Sequence, residues 1–382
     1  MTNPVLRAAV TGVGISQVGR RLGRDPWELT ADAALAAIAD AGLTTREIDG
    51  VSTYPGGSFA VAGFTGAGAW DVRNILGLDL RWINGATEIA GQIGSIVNAV
   101  IAVSAGIVDH VLCFRSVWES TAQAQKGRAA ALLGTTSQPM FTPEREFTVP
   151  FGIGNVCHGA LLAQRYFHEY SATREQLAQV ALVARANAAE NPHAVYRSPL
   201  SLDDYLGSRI ISQPLCLYDC DVPADGTIAV VVSRREAACD CAKEPIEVAA
   251  VGSAPGMERS GEMMWSMTDL EPEDVDIAEV YDGWSILTLL WLEALGLCER
   301  GEAAAFVEGG KRISRPGELP LNTGGGQLSA GRLHGYVQIH EACLQLRGEA
   351  GTRQVTPRPA VAAVSTGSNH FTGCLLLKRA GA

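Results

Sequence analysis

The chain has 382 residues, of which 47% are hydrophobic and 19% are charged, and its formal net charge is -11. A chain of this length buries enough apolar surface for two domains or two fused halves. Because its charge is acidic and it has no runs of Lys and Arg, the composition argues against binding to nucleic acid phosphates or to an anionic membrane surface.

The sequence also argues against export and against a membrane span. Its first residues lack the charged and apolar segments of a secretory signal, and the nine cysteines then indicate reduced thiols. The longest apolar run, residues 93–114, is interrupted by Asn98 and Asp109. This favours a buried helix followed by a buried strand over a bilayer span. We therefore expect a cytoplasmic protein.

Strand and helix patterns alternate in the first half of the chain. An apolar run at 8–14 ends in glycines and predicts a buried strand. Asp25 is placed as the N-cap and Pro26 as the first residue of a helix that Gly42 terminates. The remaining elements are predicted as strands at 48–53, 108–114 and 227–233 and a nearly all-apolar helix at 89–105.

A similar order of elements recurs in the second half. It comprises strands at 246–252, 275–280, 360–365 and 374–378 and helices at 285–295 and 334–346. We therefore predict one α/β unit used twice, with parallel strands covered by helices on both faces, and halves at 1–240 and 241–382. Residues 115–225 are polar and loop-rich with one helix at 174–189, so we interpret them as an insertion that shapes a pocket or an interface.

Four segments resemble the thiolase superfamily, and most of all its sterol carrier protein x thiolase branch. Residues 187–232 contain an Asn-Pro-x-Ala run, a Ser-Arg-x-Ile-x-x-Pro-Leu stretch and an Asp-Gly-x-x-Ala strand. Residues 293–301 resemble its Glu-Ala-Leu-Gly-Leu-Cys-x-x-Gly turn, and 322–329 and 345–355 resemble its approach to the active site and a helix end. The resemblance covers nearly the whole chain and implies the α/β thiolase fold, two similar βαβ-rich halves in a five-layered αβαβα arrangement.

The positions that carry thiolase chemistry are altered in this chain. The region of the thiolase nucleophile reads Asn-Gly-Ala-Thr-Glu at 84–88, and the C-terminal Cys-x-Gly-Gly loop reads Gly-Ser-Asn-His-Phe-Thr-Gly at 367–373. Neither segment contains a cysteine, and Cys374 begins a predicted strand. Because an acyl-cysteine intermediate needs an activated thiolate, condensation by the thiolase route is not expected.

The loss of both cysteines matches the steroid side-chain-cleaving aldolases, which the chain resembles most within this superfamily. The resemblance implies retro-aldol cleavage of a β-hydroxyacyl-CoA steroid to a 17-ketosteroid and propionyl-CoA, without a covalent enzyme intermediate. It also implies a homodimer that joins an OB-fold and zinc-ribbon partner in a heterotetramer, with zinc only in the partner and no cofactor or metal in this chain. Two alternatives remain: a thiolase-like acyl-CoA acyltransferase and a non-catalytic thiolase-fold scaffold.

Retro-aldol chemistry needs a base for the β-hydroxyl, donors for the thioester enolate and an acid that protonates the enolate. Tyr281 and Tyr336 are the predicted acid/base pair. By resemblance, Tyr281 takes the place of the family's Asn- or His-Glu-Ala-Phe motif, and Tyr336 follows the loop that replaces Gly-His-Pro. His334 or Arg332 could take the second role instead of Tyr336. Asp282 either orients Tyr281 or caps the helix that follows.

Substrate binding is assigned to Gly325, Gly326, Arg332 and His370. The two glycines allow a close approach of the backbone to the thioester. His334 and His370 both lie where the fold's active-site loops are expected to converge, and either could polarise the thioester carbonyl.

Overall fold

The structure, a computed structural model, describes residues 6–56, 63–85, 90–126, 149–368 and 371–381. Its strands are β1 (Ala8–Ile15), β2 (Gly50–Thr53), β3 (Trp82–Gly85), β4 (His110–Trp118), β5 (Ile210–Ser212), β6 (Leu215–Cys216), β7 (Asp225–Arg234), β8 (Ile246–Ala254), β9 (Ile277–Glu279), β10 (Val361–Ser368) and β11 (Phe371–Arg379). Its α-helices are α1 (Pro26–Asp40), α2 (Ala69–Leu76), α3 (Gly94–Ser104), α4 (Glu119–Lys126), α5 (Asn155–Tyr170), α6 (Arg174–Ala188), α7 (Leu202–Leu206), α8 (Arg235–Ala238), α9 (Met257–Trp265), α10 (Ser285–Ala294), α11 (Ala303–Val307) and α12 (Tyr336–Arg347). A π-helical turn spans Gly326–Ala330.

Among the described residues, nine strands form one mixed sheet in the order β3-β2-β4-β7-β1-β8-β11-β10-β9. β2 is parallel to β3 and β4, and β9 is parallel to β10, whereas the other neighbours are antiparallel. The prediction of parallel strands is therefore wrong for much of the sheet. β10 and β11 show the reason: two residues separate them in the chain, whereas a parallel pair needs a crossover of about a dozen residues.

The sheet divides into two half-sheets that join at a narrow seam. β1 and β8 pair through two residue pairs, Ala9 with Glu247 and Val10 with Ile246. By contrast, β1 pairs with β7 along nearly its whole length. The first half-sheet is thus β3-β2-β4-β7-β1, and the second is β8-β11-β10-β9. The division of the chain at 240 and 241 stays a prediction.

The two half-sheets and three layers of helices give the five-layered αβαβα arrangement, so the predicted fold class is confirmed. α3 and α12 form the central layer, because Val100 and Ile339 share one apolar cluster with Val230 of β7 and Leu375 of β11. α1 covers the outer face of the first half-sheet, and α9 and α10 cover the outer face of the second. Apolar side chains on both faces of each half-sheet hold these layers together.

The predicted insertion contains more regular structure than its composition indicates. Residues 115–118 belong to β4, and the described part of the insertion holds α4, α5, α7 and the β5–β6 hairpin besides the predicted helix, α6. The sequence gives little sign of α5, because its buried face is made mainly of Gly159, Ala160 and Ala163. Such small side chains produce only a weak apolar periodicity.

The described ranges contain neither a membrane-spanning helix nor a cluster of metal-binding side chains. Within them no helix is long and apolar enough to cross a bilayer. The same ranges hold no group of three or more His, Cys, Asp or Glu side chains arranged to bind a metal. The cytoplasmic location and the absence of a cofactor stay predictions.

Candidate active site

Tyr281 lies just beyond the carboxyl end of β9, where its backbone N–H donates to Ser365 Oγ of β10 at 3.2 Å. The side chain is buried, and burial raises the pKa of its phenol above the ordinary value. The charge of Asp221 raises this pKa further, whereas the cation of Arg332 opposes the shift. Tyr281 is therefore a protonated phenol at neutral pH, with a carboxylate and a guanidinium close by.

Asp282 anchors the π-helical turn that follows in the second half. Its carboxylate accepts backbone N–H groups of Gln327 at 2.9 Å and Leu328 at 3.2 Å, and the side-chain amide of Gln338 at 2.9 Å. Burial raises the pKa of Asp282 to about 6, against the backbone hydrogen bonds that lower it, so it is mostly ionised at neutral pH. The two predicted roles were to orient Tyr281 or to cap the next helix. The observed hydrogen bonds go to the turn at 326–330 and to Gln338 of α12.

Gly325 and Gly326 are required by close packing around this turn. Both have positive φ, 101° and 54°. A Cβ on Gly326 would lie 2.0 Å from Asp282 Oδ2, and one on Gly325 would lie 2.5 Å from Ala188 Cβ of α6. These contacts account for the glycines within the protein itself, and their predicted approach to a thioester stays a prediction.

His334 is a buried imidazole on the loop before α12. Its Nδ1 lies 3.0 Å from Nη2 of Arg115, and its ring centre lies 4.6 Å from that of Phe64. Burial lowers the pKa of His334 well below the ordinary value, and the cations of Arg115 and Arg332 lower it further. His334 is therefore neutral at pH 7.

Tyr336 begins α12 and is fully buried in the central layer. Its hydroxyl lies 2.6 Å from Ser95 Oγ of α3, and the Ser95 hydroxyl is also bonded to Gln92 O. Burial raises the pKa of Tyr336 well above the ordinary value, whereas Ser95 and Arg115 oppose the shift. The phenol is fixed in orientation and protonated.

Arg332 is held by two carboxylates rather than left available for proton transfer. Its Nε and Nη2 donate to Glu119 Oε2 at 2.8 and 2.5 Å, and its Nη1 donates to Asp221 Oδ1 at 3.1 Å. Burial lowers the pKa of Arg332, but the two carboxylates outweigh burial and raise it above the ordinary value. This argues against Arg332 as the second acid or base. Burial raises the pKa of Asp221 to about 7.

Arg115 is a candidate site residue that the sequence did not indicate. It is fully buried on β4, and burial lowers its pKa to about 10. Tyr281 and Tyr336 lie close enough to act on the pKa of Arg115, and His334 accepts its hydrogen bond. One buried cation is thus bonded to His334 and interacts electrostatically with Tyr281 and Tyr336. A lone arginine inside an apolar strand was the available signal, since arginine is rarely buried in full.

Two buried carboxamides lie close to Asp282 with unused hydrogen-bonding capacity. Both polar atoms of Asn322, and Oε1 of Gln338, have no hydrogen-bond partner within the described part of the chain. Buried polar groups are normally paired, so these atoms are available to a bound ligand or to water. His370, the remaining predicted residue, lies outside the described residues. The catalytic and binding roles of all eight residues stay predictions.

Relatives in sequence place this chain among known proteins. Residues 246–379 match the family described as Thiolase C-terminal domain-like. The chain is 35% identical over 367 residues to the "Steroid side-chain-cleaving aldolase" of Thermomonospora curvata, covering 89% of this chain and 90% of that protein. This chain belongs to the thiolase superfamily. It is also 33% identical over 366 residues to the "17-hydroxy-3-oxo-4-pregnene-20-carboxyl-CoA lyase" of Mycobacterium tuberculosis, covering 90% of this chain and 92% of the lyase.

Solved structures agree with this placement of our thiolase-superfamily protein. The "Ltp2-ChsH2(DUF35) aldolase" superposes with a TM-score of 0.86 at 31% identity, covering 99% of each chain. A monomeric SCP2-thiolase-like protein type 1 from Mycobacterium smegmatis, 18% identical with a TM-score of 0.69, shows the same fold. It covers 100% of this chain and 79% of that one. The predicted branch of the superfamily is confirmed, and so is the expectation of an enzyme of the aldolase, or carbon–carbon lyase, class.

Proposed function

We propose that the protein is a steroid side-chain-cleaving aldolase that splits a β-hydroxyacyl-CoA steroid into a 17-ketosteroid and propionyl-CoA. The observation that carries the proposal is the buried cation of Arg115, which is bonded to the neutral imidazole of His334 and interacts electrostatically with two buried phenols, Tyr281 and Tyr336. Such a group can move protons and stabilise an enolate without a covalent intermediate. The names of the two relatives in sequence support the same reaction and substrate class.

Tyr281 is the proposed carrier of the β-hydroxyl proton. Its own raised pKa keeps it protonated, so it acts as a base only by passing its proton onward as it accepts a new one. Asp221, with a pKa of about 7, is ionised in a substantial fraction of molecules at neutral pH and can receive that proton. Loss of the hydroxyl proton lets the carbon–carbon bond break, with formation of the ketone and the thioester enolate.

Tyr336 is the proposed acid and His334 the proposed electrostatic donor. The enolate of propionyl-CoA takes a proton at carbon from Tyr336, whose raised pKa keeps it protonated. His334 Nε2–H donates to the thioester oxygen while charge develops there. The free amide group of Asn322 supplies a further donor at the site. No metal or organic cofactor takes part in this chain's proposed chemistry.

A thiol mechanism has less support in this site. Cys374 is buried in β11, where its Sγ lies 3.2 Å from Ser260 O. Burial raises the pKa of both Cys374 and Cys113, which keeps these thiols protonated. The alternative of a thiolase-like acyltransferase would need a thiolate nucleophile.

The proposed assembly is a homodimer that joins an OB-fold and zinc-ribbon partner in a heterotetramer, with zinc in the partner. It is supported by the similarity to the Ltp2-ChsH2(DUF35) aldolase, whose name has two components. Co-expression of the chain with such a partner, followed by mass measurement of the purified complex, tests this assembly. Recovery of the chain as a lone species in the presence of the partner would contradict it.

The decisive experiment is a coupled assay on the co-expressed complex. A 17-hydroxy steroid-20-carboxyl-CoA is supplied, and mass spectrometry measures propionyl-CoA and the 17-ketosteroid. Tyr281→Phe should lower kcat by about 10²- to 10⁴-fold, the range expected for loss of a general acid–base group. Tyr166→Phe is the matched control, because Tyr166 is also a buried tyrosine and its hydroxyl donates to the carboxylate of Glu293, outside the proposed site. Equal activity of Tyr281→Phe and wild type would reject the site, and no product from the intact complex would reject the reaction.

A further inference from the structure

The contact between Arg115 and His334 gives a role to a residue outside the predicted site. We propose that Arg115 is a positioning residue that holds His334 neutral, with the ring hydrogen on Nε2. The use of that hydrogen as a donor to the thioester oxygen rests on the proposed function. The tautomer itself depends only on geometry, so it can be tested without any substrate.

The hydrogen bond determines which ring nitrogen is protonated. Nη2 of Arg115 lies 3.0 Å from Nδ1 of His334. A guanidinium has donors and no acceptor, so Nδ1 must be the nitrogen without hydrogen. Neutral His334 then carries its hydrogen on Nε2. Protonation of Nδ1 would set two donors against each other beside a buried cation, which disfavours the imidazolium.

Arg115 is held so that it cannot turn away from His334. Its Nη1 donates to Ser116 O at 2.8 Å, and its Nη2 also donates to Phe64 O at 2.6 Å. Its guanidinium carbon lies 4.6 Å from the centre of the Phe64 ring, which also packs against the His334 ring. Because Arg115 is fully buried, water does not compete for these contacts.

The charges around His334 come from both halves of the molecule. Arg115 lies on β4, Arg332 lies on the loop before His334, and Tyr336 lies on α12. Tyr54 and Tyr281 are near Arg115. Glu119 and Asp221 are bonded to Arg332. Burial and the two cations lower the pKa of His334, with Arg115 the stronger of the cations. Arg332 is already paired with two carboxylates, whereas Arg115 bonds directly to the imidazole.

The proposed role suits an oxygen that gains negative charge during the reaction. A neutral imidazole can donate its Nε2 hydrogen to that oxygen without first releasing a proton to solvent. Because Nδ1 accepts the hydrogen bond from Arg115, the hydrogen that the ring donates to the substrate oxygen must be the one on Nε2. Loss of Arg115 would let the two neutral tautomers interchange and would leave only a fraction of molecules able to donate from Nε2.

Nuclear magnetic resonance of histidine ring nitrogens tests the tautomer directly. The protein, labelled with ¹⁵N at histidine and complexed with its partner if it needs one, is compared with Arg115→Met; His334→Gln assigns the signal. In the wild type, His334 should show an unprotonated Nδ1 and a protonated Nε2. Its imidazole should also stay neutral to a lower pH than the His334 imidazole of Arg115→Met. Arg347→Met is the matched control, since Arg347 is a buried arginine at the far end of α12. A wild-type Nδ1–H tautomer, or an unchanged signal in folded Arg115→Met, overturns the proposal.

Kinetics then test whether the tautomer matters to the reaction. Arg115→Met should lower kcat by about 10²-fold, as for loss of one oxyanion donor, with a smaller change in KM. Arg115→Lys keeps a cation but not the guanidinium fork, so it should recover little of kcat if positioning is the role. Full recovery by lysine, or a wild-type kcat in Arg115→Met, would overturn the positioning role. Failure of wild type to cleave the steroid substrate would reject the proposed function while the tautomer result stands.

Discussion

The two halves of the molecule bring different chemistry to the candidate site. The N-terminal half supplies charged groups, Arg115 on β4 and Glu119 just after it. The C-terminal half supplies the neutral phenols of Tyr281 and Tyr336 and the neutral imidazole of His334, together with the cation of Arg332. The N-terminal half thus adds the charges of Arg115 and Glu119 to that of Arg332, and the phenols proposed to transfer protons come from the C-terminal half. Neither half contains a complete site by itself.

The largest expected effect comes from removing a proposed proton carrier of the C-terminal half. Tyr336→Phe should lower kcat by about 10²- to 10⁴-fold because the enolate loses its acid. Ser95→Ala is the control, since it removes the hydrogen-bond partner and leaves the phenol. Steady-state assays of the complex measure both. Equal losses in the two variants would mean that the hydrogen bond, and not the acid, accounts for the effect.

Removal of the Arg332 cation, which pairs with carboxylates of the N-terminal half, should lower the stability of the fold more than it lowers the rate of the reaction. Arg332→Met leaves Glu119 and Asp221 buried without their partner, which should lower the free energy of unfolding by about 3 kcal/mol. The exposed pair of Arg312 and Glu318 gives the control, because Arg312→Met should cost less than about 1 kcal/mol. Urea unfolding measures both values. A difference below the error of the extrapolation would contradict a buried ion pair between the halves.

The pH dependence of the reaction should report Asp221. With a pKa of about 7, its ionised form is lost below neutral pH, so kcat/KM should fall about tenfold per pH unit there. Asp221→Asn should abolish this fall, which is the acidic limb of the pH profile of kcat/KM. Asp203→Asn, at an exposed position on α7, should retain the limb. Because burial raises the folded-state pKa of Asp221 above 3.8, its contribution to stability is present at low pH and is lost as pH rises toward 7. An unchanged limb in Asp221→Asn would assign the base elsewhere.

The smallest expected effect is that of thiol alkylation. Cys239 is exposed and should react with iodoacetamide, whereas Cys113 and Cys374 are buried with raised pKa values and should not. Activity should therefore change less than about twofold, since no thiolate takes part in the proposed reaction. Peptide mapping shows which thiols have reacted. Loss of activity that tracks one buried cysteine would favour the acyltransferase alternative.

Tyr281, Tyr336, His334, Arg332 and Asp282 can be predicted as site residues from the sequence, whereas Arg115 and Glu119 cannot. Tyr281 and Tyr336 can be predicted because they lie where the family motifs are altered, at the end of β9 and the start of α12. Arg115 and Glu119 lie in a segment interpreted as an insertion. Nothing in one sequence shows that Arg332 will meet a carboxylate 213 positions away in the chain. Such pairings depend on the packing of the halves, which local patterns do not encode.

The fold was predicted in outline, and its errors have local causes. The order of buried strands was visible because β4 and β7 are long apolar runs. Their antiparallel pairing was not visible, since a strand buried on both faces has the same apolar composition in either sense. Asp282 was ambiguous because its partners, the N–H groups of Gln327 and Leu328, belong to a π-helical turn that no sequence pattern indicated.

The narrow seam between β1 and β8 has a mechanical consequence. Since two residue pairs join the half-sheets, tilting one against the other would break few backbone hydrogen bonds. The stiffness of this hinge must come from the side chains of α3 and α12, which pack against both half-sheets. Those helices also carry Ser95 and Tyr336, whose hydroxyls meet at 2.6 Å. A substrate bulky enough to tilt one half-sheet against the other would therefore also move the Tyr336 phenol. The position of the proposed acid would then depend on the size of the bound molecule.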